Sequence, residues 1–312
     1  MLMRFFSLIF ILLLTTSCSK HQVVIVPPAA KKALQNRQLP AFNQVVVEGN
    51  INVSLHTGYA RPQLILHGNT LDLLQVKTEV SSETLLIHVG KGYPRYGPIT
   101  AEIRGRYLNG FSYRGAGTIT GNNLRSGLLD LSINNPGRTT LGGKIFIRRL
   151  NISGGGYTQI SGIYSQYLQL SIEGKSKVQL AGVMNITKLD LGGDAWLGMY
   201  WVKSNSLIIR SRGQAFMQLS GTVGKLDLEL WDKAHFNGRY LRVDRAFIKT
   251  HDKAIADIAA VKRQHTLATD ASDIYFYNIP RMRTDFMAYN GSVLDMRDWD
   301  LYFMQEYDRY NK

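Results

Sequence analysis

The chain of 312 residues has a single cysteine, Cys18. No disulfide can form within it, so the fold must stand on its core alone. Charged residues are sparse at 19%, and acids are the scarcer sign, 23 against 37 Lys plus Arg, for a formal net charge of +14. That balance favours anionic partners such as lipid headgroups, acidic glycans or nucleic acid, against the plainer reading of a solvated basic surface. The seven histidines (21, 56, 67, 88, 235, 251 and 265) show no metal-type spacing. There is no serine nucleophile elbow and no Walker-type loop; Gly154-Gly155-Gly156 reads as a corner. Past the N-terminus no apolar run is long enough for a core helix, which disfavours a Leu-rich horseshoe.

What is present begins at the N-terminus. Met1-Leu2-Met3-Arg4 is a short basic region, and Phe5 to Leu14 is an apolar run interrupted only by Ser7. The run is too short to span a bilayer and reads as a secretory signal over 1–17. Ending in Ser17-Cys18, it resembles a bacterial lipoprotein signal, in which cleavage falls before the cysteine and the thiol is acylated; Thr15 departs from that pattern. The alternative is a plainly secreted chain with a free thiol. Ser19 resembles an outer-membrane sorting context if the host is Gram-negative. Residues 18–41, with Pro27-Pro28, Lys20, Lys31 and Lys32, read as an acylated cysteine and tether holding the domain off a membrane.

The body is organised by small residues recurring every nineteen or twenty positions: Gly117, Gly137, Gly156, Ser176, Ala195, Ala215, Ala234, Ala254. A period this regular marks a repeat architecture. Two residues earlier lies a corner column of Gly, Asn and Asp (Gly115, Asn135, Gly154, Gly174, Gly193, Gly213, Asp232, Asp252, then Ala271 and Gly291). These residues suit left-handed or turn geometry. Four before the corner the column is always apolar: Phe111, Leu131, Leu150, Leu170, Leu189, Ile209, Leu228, Ile248, Leu267, Met287. Each rung thus carries short strands separated by corners, and buries its core only by stacking on neighbours about 4.8 Å away. Around ten rungs make a rod of about 50 Å.

Upstream, period-2 runs bounded by Gly, Asn and Pro fill 42–113. The pattern Phe42-x-x-Val45-x-Val47-x-Gly49-x-Ile51-x-Val53-x-Leu55, then Leu64-x-Leu66-x-Gly68, Leu73-Leu74 and Leu85-x-Ile87, resembles the opening of the putative auto-transporter adhesin, head GIN domain family. The resemblance covers roughly 42–260. It implies an all-β, right-handed parallel β-helix, often on lipoproteins or secreted proteins, and an adhesin-like role. The chain departs from the family in being more basic and in its Tyr-rich C-terminal extension.

With the small column inward, side-chain alternation sends the third and fifth residues after each corner outward. The third column reads Arg138, Tyr157, Lys177, Trp196, Phe216, His235, Ile255, Ile274; the fifth reads Thr120, Thr140, Gln159, Gln179, Gly198, Gln218, Asn237, Asp257, Phe276. The candidate binding face is Tyr157, Lys177, Trp196, Phe216 and His235 beside Gln159, Gln179, Gln218 and Asn237. Flat rings beside amides suit a sugar, whose C–H face stacks and whose hydroxyls need donors and acceptors. Such rows also stabilise cross-β stacking with no ligand. A further outward column, Asp190, Arg210, Glu229, Lys249, alternates in sign and reads as an ion-pair ladder.

Parallel β-helices include polysaccharide lyases and hydrolases, which need converging carboxylates. The acids here, Asp190, Asp194, Asp227, Glu229, Asp232, Asp252, Asp257, Asp270 and Asp273, fall on corners, in the ladder or on separate columns. The expectation is therefore no catalysis, no metal and no cofactor. Residues 292–312 read as a cap over the open end, with Trp299, Tyr302, Phe303 and Tyr307 spaced for one short amphipathic helix. The domain plan is signal 1–17, tether 18–41, β-helix 42–291, cap 292–312. The functional expectation is an exported envelope lipoprotein that binds a glycan or anionic surface; a structural envelope protein docking a protein partner is the alternative. Scattered basic residues and export argue against nucleic acid.

Overall fold

The computed structural model describes residues 31–277 and 283–296. The signal, Cys18, most of the tether and the proposed helix around Trp299 to Tyr307 lie outside the described residues. Within them the chain is an all-β solenoid of about nine turns. Eight long bent strands supply one rung each: β9 (Ile119–Asn134), β10 (Arg138–Ser153), β11 (Tyr157–Ile172), β12 (Lys177–Leu191), β13 (Trp196–Ser211), β14 (Phe216–Leu230), β15 (His235–Thr250) and β16 (Ile255–Thr269). Each pairs in parallel with the next.

The first turns are built differently. β2 (Gln44–Glu48) pairs in parallel with β6 (Thr84–Val89) and β8 (Leu108–Arg114), and β3 (Ile51–Thr57) with β7 (Ile99–Gly105) and β9. β4 (Gln63–Asn69) and β5 (Val76–Ser81) are antiparallel additions. The Leu73-Leu74 stretch is not a strand: Thr70–Leu73 forms one helical turn, α1, because the Asn69 side chain accepts from the Leu71 amide at 2.9 Å and caps it. Buried Asp72 then accepts from the Arg95 and Tyr96 amides, each at 2.8 Å, and fastens the following loop.

The tether boundary shifts. Lys32–Gln38, expected within it, is strand β1, paired antiparallel with β4 from Lys32↔Asn69 to Gln38↔Gln63. Its every-second-residue burial, with Ala33, Arg37 and Leu39 partly covered, gives the chain a face to lay against the β4 edge. At the other end, β17 (Asp273–Phe276), β18 (Arg283–Tyr289) and β19 (Ser292–Asp295) extend the stack. Ser292–Asp295, expected in the cap, thus continues the solenoid in register with β17.

The small column is inward as expected: Ser176, Ala195, Ala215, Ala234 and Ala254 are all buried. At Gly137 even a methyl is excluded, since a Cβ would stand 2.4 Å from the Gly117 carbonyl oxygen. The Asp corners are structural. Asp232 accepts from the Gly213 amide at 2.9 Å, and Asp252 from the Asp232 amide at 3.1 Å, so each corner carboxylate holds the backbone of the corner before it. Asn135 does the same, donating to the Gly117 carbonyl and accepting from the Gly137 amide. A second corner carries positive φ at Gly143, Gly162, Gly182, Trp201 and Gly221. Its spacing is as regular as the first, but it is masked in the sequence by Trp201.

One phase expectation fails. From Asp252 the next left-handed corner is Asp270, not Ala271, so that rung is shorter than the others. A one-residue slip sends each side chain to the opposite face. Leu267 and Met287, expected inside, stand in the outward column with Lys249, while Thr266 takes the inward place. Ile274 and Phe276, expected outside, are buried, and Asp273 and Tyr275 take their places in the outward columns. Ser272 is the buried small residue of this rung. The slip turns the core polar there: Gln264 and Thr266 are buried without hydrogen-bond partners among the described residues.

Because Ala215 is fully buried in the tight column, Ala215→Leu should overpack the core and cost about 1–3 kcal/mol. Chemical denaturation of the variant would read this; unchanged stability would mean the column has slack.

Candidate functional site

The ring and amide columns form as expected over most of their length. Tyr157, Lys177, Trp196, Phe216 and His235 stack in register across β11 to β15, as do Gln159, Gln179, Gly198, Gln218 and Asn237. Most are half-buried, Lys177 is exposed, and no other described strand pairs across this face. Three contacts organise it. The Tyr157 hydroxyl donates to Gln179 Oε1 at 2.9 Å, one rung up and two residues along. The Trp196 ring folds over Gly198, whose added Cβ would meet the ring at 2.7 Å, so the break in the amide column is filled by indole. Phe216 and His235 meet edge to face at 5.0 Å. Arg138 closes one end over the Tyr157 ring at 5.2 Å.

The other end closes on a charged group that column-by-column reading misses. Asp257, nearly fully buried, bonds His235 Nε2 at 2.9 Å, Arg239 Nη2 at 3.0 Å and the Tyr277 hydroxyl at 3.3 Å. The Arg239 guanidinium also lies 4.6 Å over the Tyr277 ring. His235 and Asp257 are twenty-two residues apart, one rung plus two, the same diagonal as Tyr157 and Gln179. That recurring diagonal is the signal that could have found the pair. Burial opposes ionisation of Asp257, but the His235 hydrogen bond and the Arg239 charge outweigh it and hold the carboxyl below its usual value. Burial and the Asp257 charge push the Tyr277 hydroxyl up to about 12. Both carboxylate oxygens are engaged, and among the described residues no hydroxyl or thiol is hydrogen-bonded to His235. The four side-chain hydrogen bonds hold the carboxylate in place. Among the described residues no cluster of three or more His, Cys, Asp or Glu is arranged to hold a metal.

The depressions lie on a different face, the one carrying the Asp190 column. One of about 550 Å³ is lined by Asp190, Arg210, Arg212, Glu229 and Trp231. Register stacks Asp190, Arg210, Glu229 and Lys249 as expected. The ion pairs run partly sideways, however: Lys188 to Asp190 at 2.7 Å, Arg210 to Asp227 at 3.0 Å and Arg210 to Glu229 at 3.2 Å. Arg212 lies 4.6 Å over Trp231, which stacks on His251 at 5.7 Å. Towards the first turns, Asp130 is gripped by Arg148 Nη2 at 2.6 Å and by Arg149 Nε at 3.1 Å. The Arg148 hydrogen bond leads in pulling the Asp130 carboxyl down to about 2, with burial opposing and Arg149 adding to the pull.

The described residues form a solenoid whose outer columns present rings, amides and charges in repeating rows. The chain belongs to the putative auto-transporter adhesin, head GIN domain family, whose sequence profile matches residues 41–215. The match stops in the corner before β14, while the same rung pattern continues through β16. No curated protein matches significantly. Among solved structures the chain is similar to a putative adhesin from Parabacteroides merdae, at 12% identity and a TM-score of 0.46, covering 86% of this chain and 97% of that one. It is also similar to a putative adhesin from Parabacteroides distasonis, at 13% identity and a TM-score of 0.46, covering 86% and 98%. A third likeness is to a protein described as a putative lipid binding protein from Parabacteroides distasonis, at 11% identity and a TM-score of 0.42, covering 86% and 97%. Family membership supports an adhesin-like, non-enzymatic role and a surface or envelope setting.

Asp130 yields a pH prediction. Its carboxyl titrates at about 2 in the fold against about 3.9 unfolded. Its stabilising contribution is therefore present above about pH 4 and is lost as pH falls towards 2. In the Arg148→Ala, Arg149→Ala double variant the Asp130 titration, followed by carboxyl NMR, should move up towards the ordinary value. A titration still near 2 would assign the shift to something other than the two arginines.

Proposed function

We propose that the chain is an exported, lipid-anchored, non-catalytic adhesin-like module that binds glycan at its ring and amide face. The observation that supports this most is the in-register stack of Tyr157, Trp196, Phe216 and His235 on a face no described strand pairs across. The Trp196 indole folded over Gly198 adds apolar surface beside Gln179 and Gln218, the pairing that a sugar ring requires. The net charge of +14 extends the candidate ligands to acidic glycans and anionic surfaces. The anchor is the acylated Cys18, in an outer membrane if the host is Gram-negative.

A second reading, docking of an envelope protein, is favoured by a separate observation. Leu128, Phe146, Tyr164 and Val183 form an exposed apolar row along the second corner, with Phe146 and Tyr164 in edge contact at 5.3 Å. Trp201, 69% exposed, stands beside it.

On a glycan array the wild-type mature domain should bind a defined subset, and Trp196→Ala with Phe216→Ala should lose most of that signal. Identical profiles would remove the face from consideration, and a membrane pull-down that still retrieves one stable protein with the mutated face would favour the second reading. Cys18→Ala should move the protein from the membrane to the soluble fraction on cell fractionation; retention in the membrane would sink the lipid anchor.

A further inference from the structure

Parallel in-register strands set each side chain against its counterpart in the next rung, about 4.8 Å away. Like charges placed directly opposite are destabilising, so a solenoid avoids stacking them. One outward column does not. Lys225 on β14 lies opposite Arg245 on β15, Arg245 opposite Arg263 on β16, and Arg263 opposite Arg283 on β18. All four are exposed. Of the carboxylates nearest to them, Asp227 and Asp244 are committed elsewhere and Asp285 only partly so. Asp227 pairs with Arg210, Asp244 with Lys262 at 2.7 Å, and Asp285 is shared between Arg263 at 3.4 Å and His265 at 3.2 Å. Among the described residues Lys225, Arg245 and Arg283 form no ion pair; the Lys225 ammonium rests 5.2 Å from the Phe247 ring centre. Arg242, exposed and three residues before Arg245, adds to the same edge.

Beside this column the surface dips into a groove of about 510 Å³ lined by Phe247, Lys249, His265, Leu267, Phe286 and Met287. Its apolar wall exists because of the short rung: the slip at Asp270 turned Leu267 and Met287 outward. Exposed cations in single file, of which Arg263 alone has an ion-pair partner among the described residues, therefore run alongside an exposed apolar trough, on a face separate from the ring and amide columns.

We propose that the Lys225–Arg245–Arg263–Arg283 column and this groove bind a linear acidic polysaccharide lying along the solenoid axis. The anionic groups of such a chain run in one file, matching a column one residue wide. The guanidinium forks of three of the four residues suit carboxylate or sulfate, and the C–H faces of the sugars suit Leu267, Phe286 and Met287. Asp227 and Asp285 also line the groove, so the chain must lay its C–H faces there and its anionic groups along the cation column; a flat anionic membrane cannot separate the two in this way and would meet these carboxylates and Glu229 directly. The inference shares the binding-module reading but uses a different face, so the two fail separately.

The test is binding of the mature chain to polygalacturonate and heparin oligosaccharides by calorimetry. Neutral dextran, phosphatidylglycerol vesicles and single-stranded oligothymidine are the comparison probes. An acidic oligosaccharide should bind with an affinity that falls as salt is added. Arg245→Gln with Arg263→Gln should weaken it about tenfold or more, with the Tm unchanged or raised because the like-charge stack is relieved. Lys77→Gln, which removes an exposed cation on β5 outside both faces, should bind these oligosaccharides as wild type does. If the double variant unfolds, Arg283→Gln alone is measured by the same criterion. Undiminished binding in the variant, no binding of either acidic oligosaccharide by wild type, or tighter binding of vesicles or oligothymidine than of both oligosaccharides would overturn the proposal.

Discussion

Each rung of this solenoid lies parallel to and in register with a near copy of itself. Its backbone amides and carbonyls can be satisfied only by the neighbouring rungs, and its inward residues can be covered only by theirs. Everything else follows from that stacking. It forces small residues at the tight corner, where a Cβ at Gly137 would collide with the Gly117 carbonyl. It lets an aspartate at one corner hold the amide of the corner before, from Gly213 through Asp232 to Asp252.

The same stacking governs the outside. Rings and amides tolerate their own kind, so Tyr157 through His235 and Gln159 through Asn237 run as rows broken only at Lys177 and Gly198. Charges do not, and the chain handles them by moving contacts off the column. His235 reaches Asp257 on the diagonal, and Arg210 reaches sideways to Asp227. Buried Asp257 stays ionised because a hydrogen bond and a guanidinium outweigh its desolvation. The basic column from Lys225 to Arg283 stands apart because Asp227 and Asp244 serve other partners and only Arg263 reaches a carboxylate, Asp285.

Much of this is legible in the amino-acid order. A period of nineteen or twenty with inward apolar and small columns implies stacked rungs, and its phase places the ring and amide rows from Tyr157 to His235 where they stand. Legibility ends where periodicity is the only guide. The rung after Asp252 is shorter, and without backbone angles Ala271 looks as good a corner as Asp270. The second corner is hidden because Asn123 and Trp201 hold positive φ where four other rungs use glycine, and β15 sets Leu241 opposite Gly221. Strand β1 lies within a stretch that lacks a sustained apolar period, since an edge strand needs only an unpaired edge to join.

The solenoid, its repeat length and the outward columns up to Asp252 follow from the order of residues alone, because they depend on local alternation and on residues that only a tight corner accepts. Which outward residues meet is set by the folded chain. The Asp257 box, the Asp130 clasp and the basic column with its groove depend on register between rungs and on side-chain reach across them. A shift of one residue, invisible to composition and slight in periodicity, was enough to turn Leu267 and Met287 from core into surface.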